Sequence, residues 1–271
     1  MLYVLDQNYF RSDELTALIE NDPKSKFVIP DVALLEMCKG DRWRETMAQS
    51  LSHLSVIPGR VFHSISVGEG LNFELSTGKS VECHLLPENF RSFLRGVILD
   101  LAGQESGRTI EQLRSKMLSA QNEIRDEELN HERNRDGLLR RVRIVEDALA
   151  GEPIRNLRAG RICREDKFSY VRKIAFDLCL EVLVRHGFSK NKAVMFLKKQ
   201  PLTLRFFYLS IRHAVEWASK GGIDSMPPDR ITNDLLDQDY LLIGSFFNRL
   251  LSKEKRVQEA DVDLRELLRK G

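Results

Sequence analysis

The chain has 271 residues, of which 42% are hydrophobic and 30% charged, enough apolar side chains to fill the core of one elaborated domain or two small ones and too many for disorder throughout. Its 42 Lys and Arg against 40 Asp and Glu leave a formal charge of +2, a total that conceals a separation along the chain. No run of 18 apolar residues is present, and an acid at position 6 stands where a signal segment would be apolar, so a soluble, cytoplasmic protein with no membrane partner is expected.

Leu2 to Leu5 is an apolar, strand-favouring run that ends abruptly in Asp6 and Asn8, as a buried parallel strand does. A carboxylate just after such a strand is placed for the crevice where open α/β sheets bind ligands, although Asp6 could equally cap the following helix. Lys26 to Ile29 repeats the pattern: a strand, a stop at Pro30, and a helix that Asp31 is expected to cap. Within that helix Glu36 sits among Leu34, Leu35 and Met37, either on a solvated face or in a site.

Residues 54 to 85 contain short β-like pieces around Leu54 to Ile65 and turn signals at Pro58-Gly59 and Thr77-Gly78. His53, His63 and His84 have no Ser or Cys partner in the pattern, so structural roles are expected for them. Cys38, Cys83, Cys163 and Cys179 form no Cys-x-x-Cys pair, which points to reduced thiols and no structural zinc.

The middle of the chain reads as helical. Thr109 and Gln112 suggest a capping box before Ile110, Leu113, Met117, Ala120 and Ile124 at helical spacing. A charge-rich stretch from Arg125 to Asp136 follows, and apolar positions return at Leu138, Val142 and Val145, so this is one long helix with an exposed middle or two helices. Phe168, Val171, Ile174, Ala175, Leu178, Val182 and Leu183 form a buried face that Gly187 should terminate. Ser189 caps the next helix, Pro201 stops it, and a further helix from Leu202 to Lys220 ends at Gly221-Gly222. Met226-Pro227-Pro228 then turns into an acidic helix.

Charge separates along this region. No Asp or Glu occurs from Val182 to Val215, where Arg185, Lys190, Lys192, Lys198, Lys199, Arg205 and Arg212 supply seven positive charges. Arg155, Arg158, Arg161, Arg164 and Lys167 recur every third residue, a spacing that winds about 60° per step around a helix. Such surfaces suit phosphate backbones, or are solvated, or pair with acids elsewhere. Phe206, Phe207 and Tyr208 beside Arg205 could stack bases, with core packing the plainer role.

The acidic helix carries Asn233, Asp237 and Tyr240, and an apolar pair, Leu250-Leu251, then leads into Ser252-Lys253-Glu254-Lys255. With Asp6 and Glu36, these residues resemble the PIN-domain nucleases, whose defence-related and toxin-like members begin a late helix with Asn-x-x-x-Asp-x-x-Tyr. In that family the strand that follows mostly ends in Ser-x-Asp, so Glu254 departs from the pattern; so does Asn248, where relatives often carry an acid. The resemblance covers residues 1 to 80 and 228 to 260.

It implies an α/β fold, a PIN-like parallel sheet flanked by helices, with residues 1–85 and 225–271 as the nuclease core and 86–224 as a large α-helical insertion. It further implies an endoribonuclease dependent on magnesium or manganese, of toxin or phage-defence type. Asp6, Glu36 and Asp237 would hold the metal and Glu254 would be an auxiliary catalytic ligand, while Asn8, Asn233 and Ser252 would orient phosphate or the ligands. From its place in the basic segment, Arg205 joins the candidate RNA contacts. Expected partners are an RNA substrate, a regulatory or antitoxin protein and a second copy of the chain. Two other readings stand beside this one: a degenerate PIN scaffold that binds RNA or protein without cleaving it, and a helical regulator whose residues 190 to 212 contact DNA.

Overall fold

The computed structural model describes every residue except 104–106, 128–130, 222–227 and 270–271. By its contacts the chain divides into two compact units, one of Met1–Gly70, Glu82–Asp126 and Asp239–Val262 and the other of Leu71–Val81, Glu127–Gln238 and Asp263–Gly271.

The first unit holds a parallel four-stranded sheet. Its strands are β1 (Leu2–Leu5), β2 (Lys26–Ile29), β3 (Val61–His63) and β4 (Arg249–Leu251), in spatial order β3-β2-β1-β4. Tyr3 pairs with Phe27 on one side and Arg249 on the other, and Phe27 pairs with Val61. Burial deepens along β1, β2 and β4: Val4, Leu5, Phe27, Val28 and Ile29 are fully buried, so the apolar runs reflect a sheet end enclosed by protein. The chain steps outward from β1 through β2 to β3, then returns to the far side of β1 as β4. The order therefore reverses between β1 and β4, the switch point at which such sheets open a crevice beyond the strands' carboxyl ends.

Helices α1 (Asp13–Asn21), α2 (Asp31–Met37) and α3 (Trp43–Leu51) connect or flank these strands. Ser12 caps α1 by accepting the Leu15 N–H at 3.2 Å. Pro30, not Asp31, takes the N-cap position of α2; Asp31 is already helical and faces His63 from β3, Oδ1 to Nε2 3.3 Å. The β-like signals of residues 54–65 yield β3, whereas residues 67 to 77, for which no helix is expected, form α4 (Val67–Thr77), ended by Gly78 at φ 68°.

Next come α5 (Glu88–Leu101) and α6 (Arg108–Glu127). Thr109 does not form the expected capping box, because it lies inside α6. The N-terminal N–H groups of that helix are met by Asp100 of α5, which accepts from Gly107, Thr109 and Ile110 at 2.8, 2.7 and 3.1 Å. Residues 86–126, expected in the insertion, thus belong largely to the sheet unit.

The charge-rich stretch, expected as one long helix or two, spans residues 128–130, which lie outside the described residues, as do the side chains of Ala120 and Ile124; α6 precedes them and α7 (His131–Ala148) follows. The second unit continues with α8 (Glu152–Arg158), α9 (Arg164–Arg185), α10 (Lys190–Leu197) and α11 (Leu202–Ser219), with α11 packed on α7, α8 and α9. Gly187 at φ 88° follows α9, and Ser189 caps α10 by accepting the Lys192 N–H. Gly221 follows α11 at φ 84°; Gly222 and Met226-Pro227 lie outside the described residues.

Glu74 is the buried polar centre of this unit. It is fully enclosed and accepts four hydrogen bonds: from the N–H groups of Val81, Leu202 and Thr203 and from the Thr203 hydroxyl, at 2.7 to 3.1 Å. The chain closes with α12 (Pro228–Gly244) before β4 and α13 (Lys255–Arg269) after it. Among the described residues no helix is long and apolar enough to cross a membrane. The four thiols are free; burial pushes those of Cys38 and Cys179 up to about 12, and Cys83 and Cys163 are exposed.

Candidate active site

At the β1/β4 switch point the chain puts two polar residues where the strands' apolar character ends. Asp6 follows β1 and Ser252 follows β4, and the Asp6 N–H donates to the Leu251 carbonyl at 3.0 Å, carrying the pairing one residue past the strand. Both are buried, 5% exposed each. The Ser252 hydroxyl donates to Asp6 Oδ2 and itself accepts the Glu254 N–H at 3.0 Å. Asp6 therefore does not cap the short 3₁₀ turn Gln7–Tyr9 through its side chain; its carboxylate is turned to β4.

Asn8 ties the two chain ends together. Its amide nitrogen donates to Glu254 Oε1 at 3.1 Å, and its carbonyl oxygen accepts the Lys253 N–H at 2.9 Å. Gln258 holds the Ser252 carbonyl from the first turn of α13, at 2.7 Å. Glu254 is exposed but oriented by Asn8, and Lys253 reaches Glu14 at 3.0 Å.

Glu36 enters from α2. Its half-buried carboxylate accepts the Tyr240 hydroxyl at 2.5 Å, so it is not on a solvated face. Burial raises its pKa; Tyr240 and Lys39 work in the opposite sense, and the charges of Asp6 and Glu254 push it up again. The Asp6 pKa is likewise raised, by burial first, with the Ser252 hydrogen bond opposing and Glu254 adding to the rise. The charges of Asp6 and Glu254 thus bear on Glu36, and that of Glu254 on Asp6, a crowding of like charge that a bound cation relieves.

The donors are all hard oxygens, which suits magnesium or manganese and not a soft metal. Among the described residues no group of three or more His, Cys, Asp or Glu side chains is placed to hold a metal ion together. A Mg2+-type ion needs no such group, since it is commonly held by one or two carboxylates and keeps several waters.

Of the residues singled out in the sequence, Asp6, Asn8, Glu36, Ser252 and Glu254 come together in the first unit. Asp237, half-buried, and Asn233, exposed, belong to the second, on the part of α12 that precedes Tyr240. Arg205 closes the turn between α10 and α11, donating from Nε to the Gln200 carbonyl at 2.9 Å. Asn248 is not a lost ligand. Its side-chain oxygen accepts the Leu2 N–H at 2.8 Å and its own N–H donates to the Leu2 carbonyl at 3.1 Å, at the opposite end of β1 from Asp6.

Tyr240 as the anchor of Glu36, and Asp31 beside His63, are partners that the sequence pattern does not announce, because each joins residues from distant elements. The basic series is not one surface either: α8 and α9 divide it, and Arg158 and Arg164 pair with Glu146 and Asp263, both at 2.6 Å. No protein-family model matches the chain, and no match is found among curated proteins or solved structures.

Proposed function

We propose that the chain is a metal-dependent endoribonuclease of PIN-like type, with its active site at the β1/β4 switch point. The observation that carries this reading is the pairing of buried Asp6 with Ser252 at that edge, within the electrostatic reach of Glu36 and Glu254. Asp6, Glu36 and Glu254 would hold magnesium or manganese. When bound, such an ion lowers the pKa of a coordinated water and neutralises charge developing on a phosphate.

The chain's own contribution is positioning. Ser252 fixes one oxygen of Asp6, Asn8 sets the orientation of Glu254, and Tyr240 that of Glu36. Burial and neighbouring negative charge raise the pKa values of Asp6 and Glu36, and a bound cation would oppose that rise. RNA as substrate, a toxin or phage-defence role, a regulatory partner, pairing of two copies and a part for Asp237 are extended here from the family resemblance.

A second reading is favoured by one observation: Tyr240 and Ser252 already occupy an oxygen of Glu36 and of Asp6, as a purely structural network would. On that reading the chain binds RNA without cutting it. Incubation of a broad set of labelled RNAs with the natural protein and Asp6→Asn or Glu36→Gln, with Mn2+, Mg2+ or chelator, separates the two. The nuclease reading expects cleavage that needs metal and falls by at least about 100-fold in either variant, roughly 2.7 kcal/mol in the barrier. Binding without metal-dependent cleavage would establish the second reading instead.

A further inference from the structure

Several cations of the second unit are engaged within the protein. Arg212 pairs with Asp263 at 2.7 Å, as Arg164 and Arg158 pair with their acids, and Arg205 binds a carbonyl. Arg141 of α7 is different. It shares a helix face with buried Leu138 and Val145, and its Nε is enclosed without a hydrogen-bond partner. Among the described residues it makes no hydrogen bond or ion pair at all. Burial, and then the like charge of Arg140, press its pKa below the ordinary guanidinium range.

A half-buried cation without a counter-charge is unfavourable unless something else meets it. Two other enclosed donors have such a neighbour, Arg114 at 4.6 Å over the Trp43 ring and His63 Nε2 at 3.3 Å from Asp31, while Arg172 Nη1 is enclosed without a hydrogen-bond partner as well. Arg141 has instead a gap. Gly137, one turn earlier, is a poor residue for a helix interior, and a Cβ there would stand 3.8 and 3.9 Å from the two terminal guanidinium nitrogens. Among the described residues no other side chain lies within 4 Å of that Cβ position, so the glycine leaves the donor fork open on that side.

We propose that Arg141, with Arg140 beside it and Gly137 leaving its fork open, is an oxyanion site that takes a phosphate group. A planar guanidinium fork matches two phosphate oxygens, and the anion would supply the missing counter-charge. The phosphate could belong to an RNA backbone or to a small phosphorylated molecule. The site requires neither the metal nor the carboxylates of the first unit, so it stands or falls apart from the nuclease reading.

Thermal unfolding in chelator at fixed ionic strength, with and without inorganic phosphate, is the primary test. At about ten times its dissociation constant, phosphate should raise the melting temperature by about 2–4 °C. Arg141→Met and Gly137→Leu should both lose that rise. In phosphate-free buffer Arg141→Met should melt no lower than the natural protein, because a partnerless charge is replaced by an apolar side chain of similar length. Fluorescence polarisation with a labelled single-stranded RNA identifies the source of the phosphate. Weakened RNA binding in Arg141→Met, with inorganic phosphate competing in the natural protein, assigns the site to the backbone; unchanged RNA binding beside a lost phosphate shift assigns it to a small molecule. A natural protein without a phosphate shift, or an Arg141→Met variant that melts lower and keeps the shift, overturns the proposal.

Discussion

Single residues carry the argument for the site, and Asn248 corrects what the family pattern suggests. Asn248 occupies a position where an acid is expected from the family pattern, yet its side chain holds the Leu2 backbone at the amino end of β1. A sheet strand of four residues spans about 13 Å, so the amide has no part in chemistry at the carboxyl end. Asn248→Asp should therefore leave metal affinity and any cleavage rate within about twofold of natural, while costing about 1 kcal/mol if the carboxylate fits the Leu2 contact less well. Metal titration and urea unfolding of that variant check both parts. Asp6, by contrast, was legible, because an apolar run that breaks at an acid is a local signal. The anchoring of Glu36 by Tyr240 joins residues 204 positions apart, and one sequence contains no trace of that contact.

Elements were legible where their own side chains set the limits, and less so where a neighbour did. Gly187, Ser189 and Pro201 act on adjacent backbone, and the helix boundaries around them follow from residue chemistry. The start of α6 does not, because its cap comes from Asp100 on the previous helix. Partial burial works against the Asp100 charge, but the three N–H groups outweigh it and its pKa is lowered. A carboxylate whose folded pKa lies below its unfolded value stabilises above that unfolded value, near 4, and loses the contribution as pH falls through the folded one. Asp100→Ala should cost about 1 kcal/mol at pH 7, and the gap between variant and natural protein should shrink as acid is added below pH 4. Chemical unfolding across that range reads the effect directly. Helix α4 was missed because Gly68, Gly70 and the turn-like Thr77-Gly78 weaken its local signal; its Glu74 is fixed by the amino end of α11.

For the whole molecule, the coarse α/β class was readable from strand and helix periods and the parallel sheet followed from the family resemblance, while the partition into units was not readable. Residues 71–81 join the helical unit through the four hydrogen bonds of Glu74, and residues 86–126 join the sheet unit, so the units interleave along the chain where an insertion would be continuous. Glu74→Gln keeps the shape but turns an amide N–H toward backbone donors inside the protein. It should destabilise the second unit by about 3 kcal/mol, visible as an earlier loss of helical signal in urea. The seven-cation segment was legible as charge but not as partnership, since Asp263, which meets Arg212, lies outside it.

The central claim is that Asp6, Glu36 and Glu254 form a place for a divalent cation at the sheet's switch point. Calorimetric titration of Mn2+ into the natural protein, Asp6→Asn, Glu36→Gln and the control Asp31→Asn tests it most directly. The predicted result is saturable binding to the natural protein and to Asp31→Asn, weakened at least tenfold in Asp6→Asn and Glu36→Gln. Equal Mn2+ affinity in all four proteins, or no binding to any, would contradict the account.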